Sequence, residues 1–242
     1  MILDANVRFE ALSALLGTKV TSLDGGNPWK AAPVLLVGGF VKQLIPDSIT
    51  ISACSKFHPS TKEFFIDEKE FFDPGYDFDF TNLSDSADCM RGNEPYERPK
   101  GWYRMALKVK GKYPDGDAWL GTNGWRSDSV PGEWPVSYHG TGLEEARGII
   151  SSHYKAGNRQ AYGRGIYSTP DLHEAKNYCK TFTSKITGKT YTVIMQNRIK
   201  PEKRQIHGNY WLIPVPEGTS AEEEKRIVES SIRPYGVLIK EI

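Results

Sequence analysis

Two stretches in the second half of the chain decide the fold: SYHGT at positions 137–141 and YGRGIYSTPDLHEAKNYC at positions 162–179. The residues PVSYH at 135–139 are typical of a short strand that ends at its histidine. The residues GRGIYS at 163–168 indicate a tight glycine turn that leads into a second strand. We therefore expect two strands, each of which carries a polar or aromatic motif near its end.

Helix signals follow both of these strands. Thr141 with Glu144 forms a capping-box pattern, which predicts a helix directly after the first strand. Thr169 predicts the cap of another helix, since a proline suited to the first turn follows it and Asp171 favours a helix N-terminus. We expect this second helix to end near Lys180.

Further strands and one more helix are expected towards the end of the chain. Alternating or β-branched apolar residues predict strands at about 104–109, 190–196, 210–215 and 235–242. Ser220 with Glu223 predicts the cap of a short charged helix that ends near Ser231. Strands outnumber helices, and no strand–helix–strand repeat with a glycine-rich phosphate loop occurs. The sequence therefore predicts an α+β domain with mixed, mainly antiparallel sheets over about 98–242.

The first 97 residues divide into two parts of different character. Positions 1–60 mix helix and strand signals, with an amphipathic helix expected at about 7–16 and an apolar element of open type at 34–41. Alternation at 49–53 favours a short strand, with a helical turn as the weaker alternative. Positions 61–97 are acidic and aromatic, which predicts a linker that packs partly on the following domain through its phenylalanines. We expect three units, which end at residues 60, 97 and 242.

Three short motifs suggest a family. They are His139-Gly140-Thr141, Gly165-Ile166-Tyr167 and Asn177-Tyr178-Cys179, and the two tyrosines lie eleven positions apart. In this order and spacing they resemble the motifs of the diphtheria-toxin-like ADP-ribosyltransferases, the branch that contains the poly(ADP-ribose) polymerases. The resemblance implies a two-sheet ADP-ribosyltransferase fold and NAD as a substrate.

The chemistry of NAD cleavage gives these residue types a purpose. The reaction separates neutral nicotinamide from an oxocarbenium-like ribose, so an enzyme must hold both rings and stabilise developing charge. The resemblance implies that Gly140 lets the backbone approach the nicotinamide amide, because glycine has no Cβ. It also implies that Tyr167 and Tyr178 stack on the two faces of the nicotinamide ring.

The rest of NAD is assigned by the same resemblance. His139 is expected to hold the adenosine-side ribose by hydrogen bonds. Arg159 or Arg164 could meet the pyrophosphate, although an exposed turn arginine is an equally good interpretation of either. The expected NAD-binding set is His139, Gly140, Thr141, Arg164, Gly165, Tyr167 and Tyr178. The expected catalytic set is His139, Tyr167 and Tyr210.

Two positions depart from the family pattern. Ala175 stands three residues before Tyr178, where relatives place a serine that bonds the nicotinamide amide. Tyr210 stands where polymerising relatives place a glutamate that contacts the nicotinamide-side ribose. A phenol with an ordinary pKa near ~10 is not a base at neutral pH. The His-Tyr-Tyr set therefore predicts transfer of a single ADP-ribose to an unidentified acceptor, which could be a protein.

Two other functions remain open. Ala175 and the missing glutamate favour, to a modest degree, a catalytically inactive module that binds NAD or ADP-ribose. An RNA 2′-phosphotransferase of the same fold would need a basic surface for RNA. The net charge of +1 over 242 residues predicts no strong attraction to nucleic acid or anionic membranes.

Composition predicts an intracellular protein, either cytoplasmic or nuclear. The three cysteines are widely spaced, which fits neither a disulfide framework nor a zinc site, and we expect no bound metal. Charged residues interrupt the N-terminal apolar segment, and no run of about 18 apolar residues occurs, so neither a signal peptide nor a membrane span is expected.

Overall fold

The computed structural model describes residues 5–16, 19–22, 63–66, 68–83, 89–122, 129–140 and 162–242. Within them the α-helices are α1 (Ala5–Leu16), α2 (Glu68–Phe71), α3 (Leu172–Lys176) and α4 (Ala221–Glu229). The strands are β1 (Lys19–Ser22), β2 (Glu63–Ile66), β3 (Phe78–Asp79), β4 (Met90–Arg91), β5 (Glu94–Pro95), β6 (Tyr103–Ala106), β7 (Val136–His139), β8 (Gly165–Ser168), β9 (Lys180–Thr183), β10 (Thr190–Ile199), β11 (Gln205–His207), β12 (Tyr210–Pro214) and β13 (Ile232–Glu241).

Two antiparallel sheets are built from strands between residues 78 and 241. In the described residues the larger sheet has the order β3-β6-β13-β10-β7, and β9 pairs with the free end of β10. The smaller sheet has the order β11-β12-β8. Among the described strands only β1 and β2 pair in parallel, and β4 and β5 form a separate hairpin. The expected α+β class with mainly antiparallel sheets is confirmed, while the specific ADP-ribosyltransferase fold stays a prediction.

The centre of the larger sheet is the long pair β10 and β13, each of ten residues. Val193, Ile194 and Met195 are consecutive and all are buried, so both faces of β10 are covered. The pairing slips at Gln196–Asn197, where the register passes over Tyr235. This bulge lies beside Pro234, which has no N–H for a regular ladder.

Helix α1 packs against this sheet, on β9 and β10. Val7, Leu12 and Leu15 are buried in the same core as the strands, which confirms the helix expected at about 7–16. The apolar element at 34–41 and the expected strand at 49–53 lie outside the described residues. None of the described helices has the length and apolar character needed to cross a bilayer.

The described part of segment 61–97 also joins the core. Phe71 and Phe72 are fully buried and meet edge to face, with ring centroids 5.0 Å apart. Phe80 is buried as well, and β3 pairs with β6 at the margin of the larger sheet. The phenylalanines thus pack on the strands that follow them. Where the chain divides into domains stays a prediction.

Several boundaries differ from the expected ones. Helix α3 begins at Leu172, after the predicted cap at Thr169. Asp171 caps it, because its carboxylate accepts hydrogen bonds from the N–H groups of His173 and Glu174. Thr169 instead pairs with Tyr138 in an isolated bridge. The helix expected from the Thr141–Glu144 pattern lies outside the described residues.

A buried ion pair fixes β10 to the segment before β7. Nη1 of Arg198 lies 2.8 Å from Oε1 of Glu133, and the two side chains are 1% and 0% exposed. Arg198 also donates to the carbonyls of Trp134 and Leu120. These bonds occupy both terminal nitrogens of a guanidinium that burial would otherwise destabilise strongly.

We predict that Glu133→Gln lowers the free energy of unfolding by about 3–5 kcal/mol, because it leaves Arg198 charged and buried without its carboxylate. Glu241→Gln is the matched control, since it breaks the exposed pair with Lys189 and should change stability by about 0–1 kcal/mol. Urea denaturation followed by circular dichroism measures both. Equal, small effects would show that the buried pair does not stabilise the sheet.

Candidate functional site

The two sheets meet at the end of β7. The N–H of Tyr138 donates to the carbonyl of Thr169 at 2.7 Å, and the N–H of Thr169 donates back at 2.9 Å. The next residue, His139, is buried, and its Nδ1 bonds the carbonyl oxygen of Tyr167. Because a carbonyl can only accept, Nδ1 carries a proton in this bond.

Gly140 packs directly on Tyr178. A Cβ at Gly140 would overlap the Cβ of Tyr178 and would lie 2.6 Å from its carbonyl oxygen. Only glycine permits this approach of the two backbones. The dipeptide His139–Gly140 therefore lies between the segments that carry Tyr167 and Tyr178. The structure brings these parts of the three sequence motifs to one place.

One face of the smaller sheet supplies the other aromatic groups. Tyr167 pairs with Leu212, and Tyr210 pairs with His207 across the hairpin. Directly paired residues share a face, and residues two apart on a strand also share one. Tyr167, Tyr210 and His207 therefore project from the same face of this sheet.

A chain of hydrogen bonds links this face to α3. The hydroxyl of Tyr210 donates to Oε1 of Glu174, and its oxygen lies 3.2 Å from the hydroxyl oxygen of Tyr178. The single proton of Tyr210 is used on Glu174, so Tyr178 must be the donor in the bond between the two phenols. The hydrogen bond to the Glu174 carboxylate raises the pKa of Tyr210 above its ordinary value.

The hydroxyl of Tyr167 is held by the turn before β8. It donates to the carbonyl of Gly163 at 2.9 Å and accepts from the N–H of Tyr162 at 3.1 Å. The Tyr162 ring in turn stacks on His207, with centroids 4.4 Å apart and planes 9° apart. An aromatic rim thus borders the site on the side of β11.

Sequence reasoning missed three side chains of this site: Glu174, Tyr162 and His207. Glu174 had a usable signal, since it lies four positions before Tyr178 and residues at this spacing share a helix face. Tyr162 and His207 had none, because a stacked contact over 45 residues of sequence depends on how the sheets meet. In the structure the hydroxyl of Tyr210 donates to Glu174, and the catalytic role expected of Tyr210 stays a prediction.

The remaining candidates have other contacts. Nη1 of Arg164 donates to the carbonyls of Val215 and Pro216, and Nη2 pairs with Glu224, so its role towards a pyrophosphate stays a prediction. Gly165 allows β8 to approach β12, since a Cβ there would meet the backbone of Ile213. Thr141 and Arg159 lie outside the described residues.

Ala175, where the expected motif would have a serine, is a core residue of α3. It is 1% exposed and lies on the face of α3 that packs in the core. A methyl group in this place adds apolar contact and offers no hydrogen bond. Beside α3 the polar groups of the site therefore come from other residues, among them Tyr178, Tyr210 and Glu174.

Comparison of the chain with protein-family models and with curated proteins returned no match.

Gly140→Ala tests the contact between Gly140 and Tyr178. The added methyl group must displace Tyr178, so we expect a loss of about 1–3 kcal/mol in unfolding free energy, as for other overpacked sites. Gly75→Ala is the control, because its Cβ would meet only Asp73 at an ordinary 3.8 Å. Chemical denaturation of both variants measures the difference. Equal stability of the two would contradict the close approach.

Proposed function

We propose that the chain is an NAD-dependent mono-ADP-ribosyltransferase that releases nicotinamide and transfers one ADP-ribose to an acceptor. The observation that carries the proposal is the placement of His139–Gly140 against both Tyr167 and Tyr178. These residues come from three separate motifs, and a packing role alone does not require the family's order and spacing among them.

The proposed reaction places each residue in a role. The bond between the nicotinamide nitrogen and ribose C1′ breaks, and its electron pair leaves with nicotinamide. An acceptor nucleophile forms the new bond to C1′ and loses its proton. Tyr178 is half exposed, as a ring that stacks on a flat leaving group must be. In its neutral form, with the proton on Nδ1, His139 has an acceptor at Nε2 that suits a ribose hydroxyl.

The hydrogen bond and the raised pKa of Tyr210 support transfer of a single ADP-ribose. Chain growth needs a group that accepts a proton from a ribose hydroxyl of a bound ADP-ribose. Tyr210 cannot do this at neutral pH, because its bond to Glu174 raises the pKa of the phenol further. The carboxylate itself is separated from Tyr178 by the phenol of Tyr210. This arrangement favours one transfer, or slow hydrolysis, over polymer growth.

A binding module without catalysis is the second candidate. It is favoured by buried Ala175, which removes the polar contact that relatives direct at the nicotinamide amide. One neutral hydrogen bond contributes on the order of 1 kcal/mol, so its loss weakens binding without excluding catalysis. The two candidates differ in whether nicotinamide is released.

Incubation of the protein with NAD labelled in the adenine part tests both. We expect one discrete labelled species on a denaturing gel, or free labelled ADP-ribose, together with free nicotinamide. A ladder of high molecular weight would contradict single transfer. Binding of NAD without any free nicotinamide would favour the binding module, and absence of both would exclude the two candidates.

A further inference from the structure

The strongest unassigned feature is Glu174, which no family motif includes. Its carboxylate accepts a hydrogen bond from the hydroxyl of Tyr210, and the hydroxyl oxygens of Tyr210 and Tyr178 lie 3.2 Å apart. We propose that Glu174 is a positioning residue that acts through Tyr210. It fixes the direction of the hydrogen bonds of Tyr210 and Tyr178, so that both phenol oxygens face a ribose hydroxyl of NAD as acceptors. This inference rests on the proposed function.

The count of protons supports the direction of these bonds. Each phenol has one proton and can accept through its oxygen, whereas an ionised carboxylate can only accept. The hydroxyl of Tyr210 donates its hydrogen bond to Glu174, and the hydroxyl of Tyr178 donates its own to Tyr210. Neither hydroxyl then has a proton left for a ligand. A ligand group beside these oxygens must be a donor, and a sugar hydroxyl is one, whereas a phosphate oxygen or a carbonyl is not.

Helix α3, which carries Glu174, is held in place by core packing and by its N-terminal cap. Leu172 and Ala175 are buried in the core, at 3% and 1% exposure. The N–H of Glu174 donates to the capping carboxylate of Asp171 at 3.2 Å. The helix therefore holds Glu174 at the first turn, from which its side chain reaches the first residue of β12.

The position of Glu174 also gives a reason for a tyrosine, Tyr210, at the start of β12. Polymerising relatives are expected to carry a glutamate where this chain has Tyr210. Here a carboxylate comes to the same strand end from α3, with one phenol between it and Tyr178. The negative charge is kept near the site, but it orients hydroxyl groups instead of contacting the substrate.

Steady-state kinetics of nicotinamide release tests the inference in the full chain. The variants are Glu174→Gln, Tyr210→Phe and the double variant, with Glu202→Gln as a control for an exposed carboxylate. A glutamine can donate as well as accept, so it no longer fixes the direction of the bonds. We expect Glu174→Gln to lower kcat/KM about tenfold or more, the size of a lost bond to a charged group. The control should match the wild type.

The double variant separates positioning from a structural role. If Glu174 acts through Tyr210, Glu174→Gln has no further effect in the Tyr210→Phe background. Titration of the tyrosines by ultraviolet absorbance gives a second measure, because loss of the carboxylate should bring the pKa of Tyr210 back towards its ordinary value. Melting temperatures close to that of the wild type show that the variants are folded.

The outcomes are distinct. Unchanged kinetics in Glu174→Gln, or effects of the two substitutions that simply add, would overturn the inference and leave the proposed function intact. A wild-type protein that neither binds NAD nor releases nicotinamide would overturn both. Loss of kcat/KM in Glu174→Gln, with no further loss in the double variant, is the result that we expect.

Discussion

Two hydrogen bonds between Tyr138 and Thr169 join the larger and the smaller sheet, and the candidate site depends on them. They direct β7 so that His139 reaches the carbonyl of Tyr167 and Gly140 lies against Tyr178. Tyr138 is itself fixed, since it is fully buried and its hydroxyl donates to the carbonyl of Glu97 at 2.7 Å. Burial raises the pKa of Tyr138 well above its ordinary value, so this donor keeps its proton.

The irregularity of the larger sheet lies beside the same junction. Tyr138 pairs with Gln196 in β10, where the register between β10 and β13 slips. A bulge increases local twist and bends a strand. The site therefore lies beside the irregular part of the larger sheet, and the ion pair of Arg198 with Glu133 holds the segment before β7. Support of this kind suits the proposed function, in which the nicotinamide ring is held in a fixed position.

Much of the local structure was predictable from the sequence, because it depends on periodicity and caps. The strand at Pro135–His139 and the helix capped by Ser220 both appear within a few residues of the expected bounds. The helix at Thr169 begins later than expected, since the backbone of that residue is used by the other sheet. The short strands β9 and β11 were missed because three or four residues give no clear alternation.

The parts of the site that escaped prediction are contacts across elements. The bond between Glu174 and Tyr210 joins residues 36 positions apart, and no propensity or spacing rule specifies it. The close packing of Gly140 on Tyr178 gives that glycine a structural reason, beside the expected one of access to a ligand. Sequence motifs thus named the residues, while only the arrangement of the two sheets shows which side chains they meet.

The most direct test of the central claim, that these residues form a nicotinamide cleft, is titration of nicotinamide into ¹⁵N-labelled protein followed by nuclear magnetic resonance. Shift changes should be largest at His139, Gly140, Tyr167 and Tyr178, and small at the exposed Ile206 and Ile186. Shift changes confined to other parts of the chain, or none at millimolar nicotinamide, would contradict the claim.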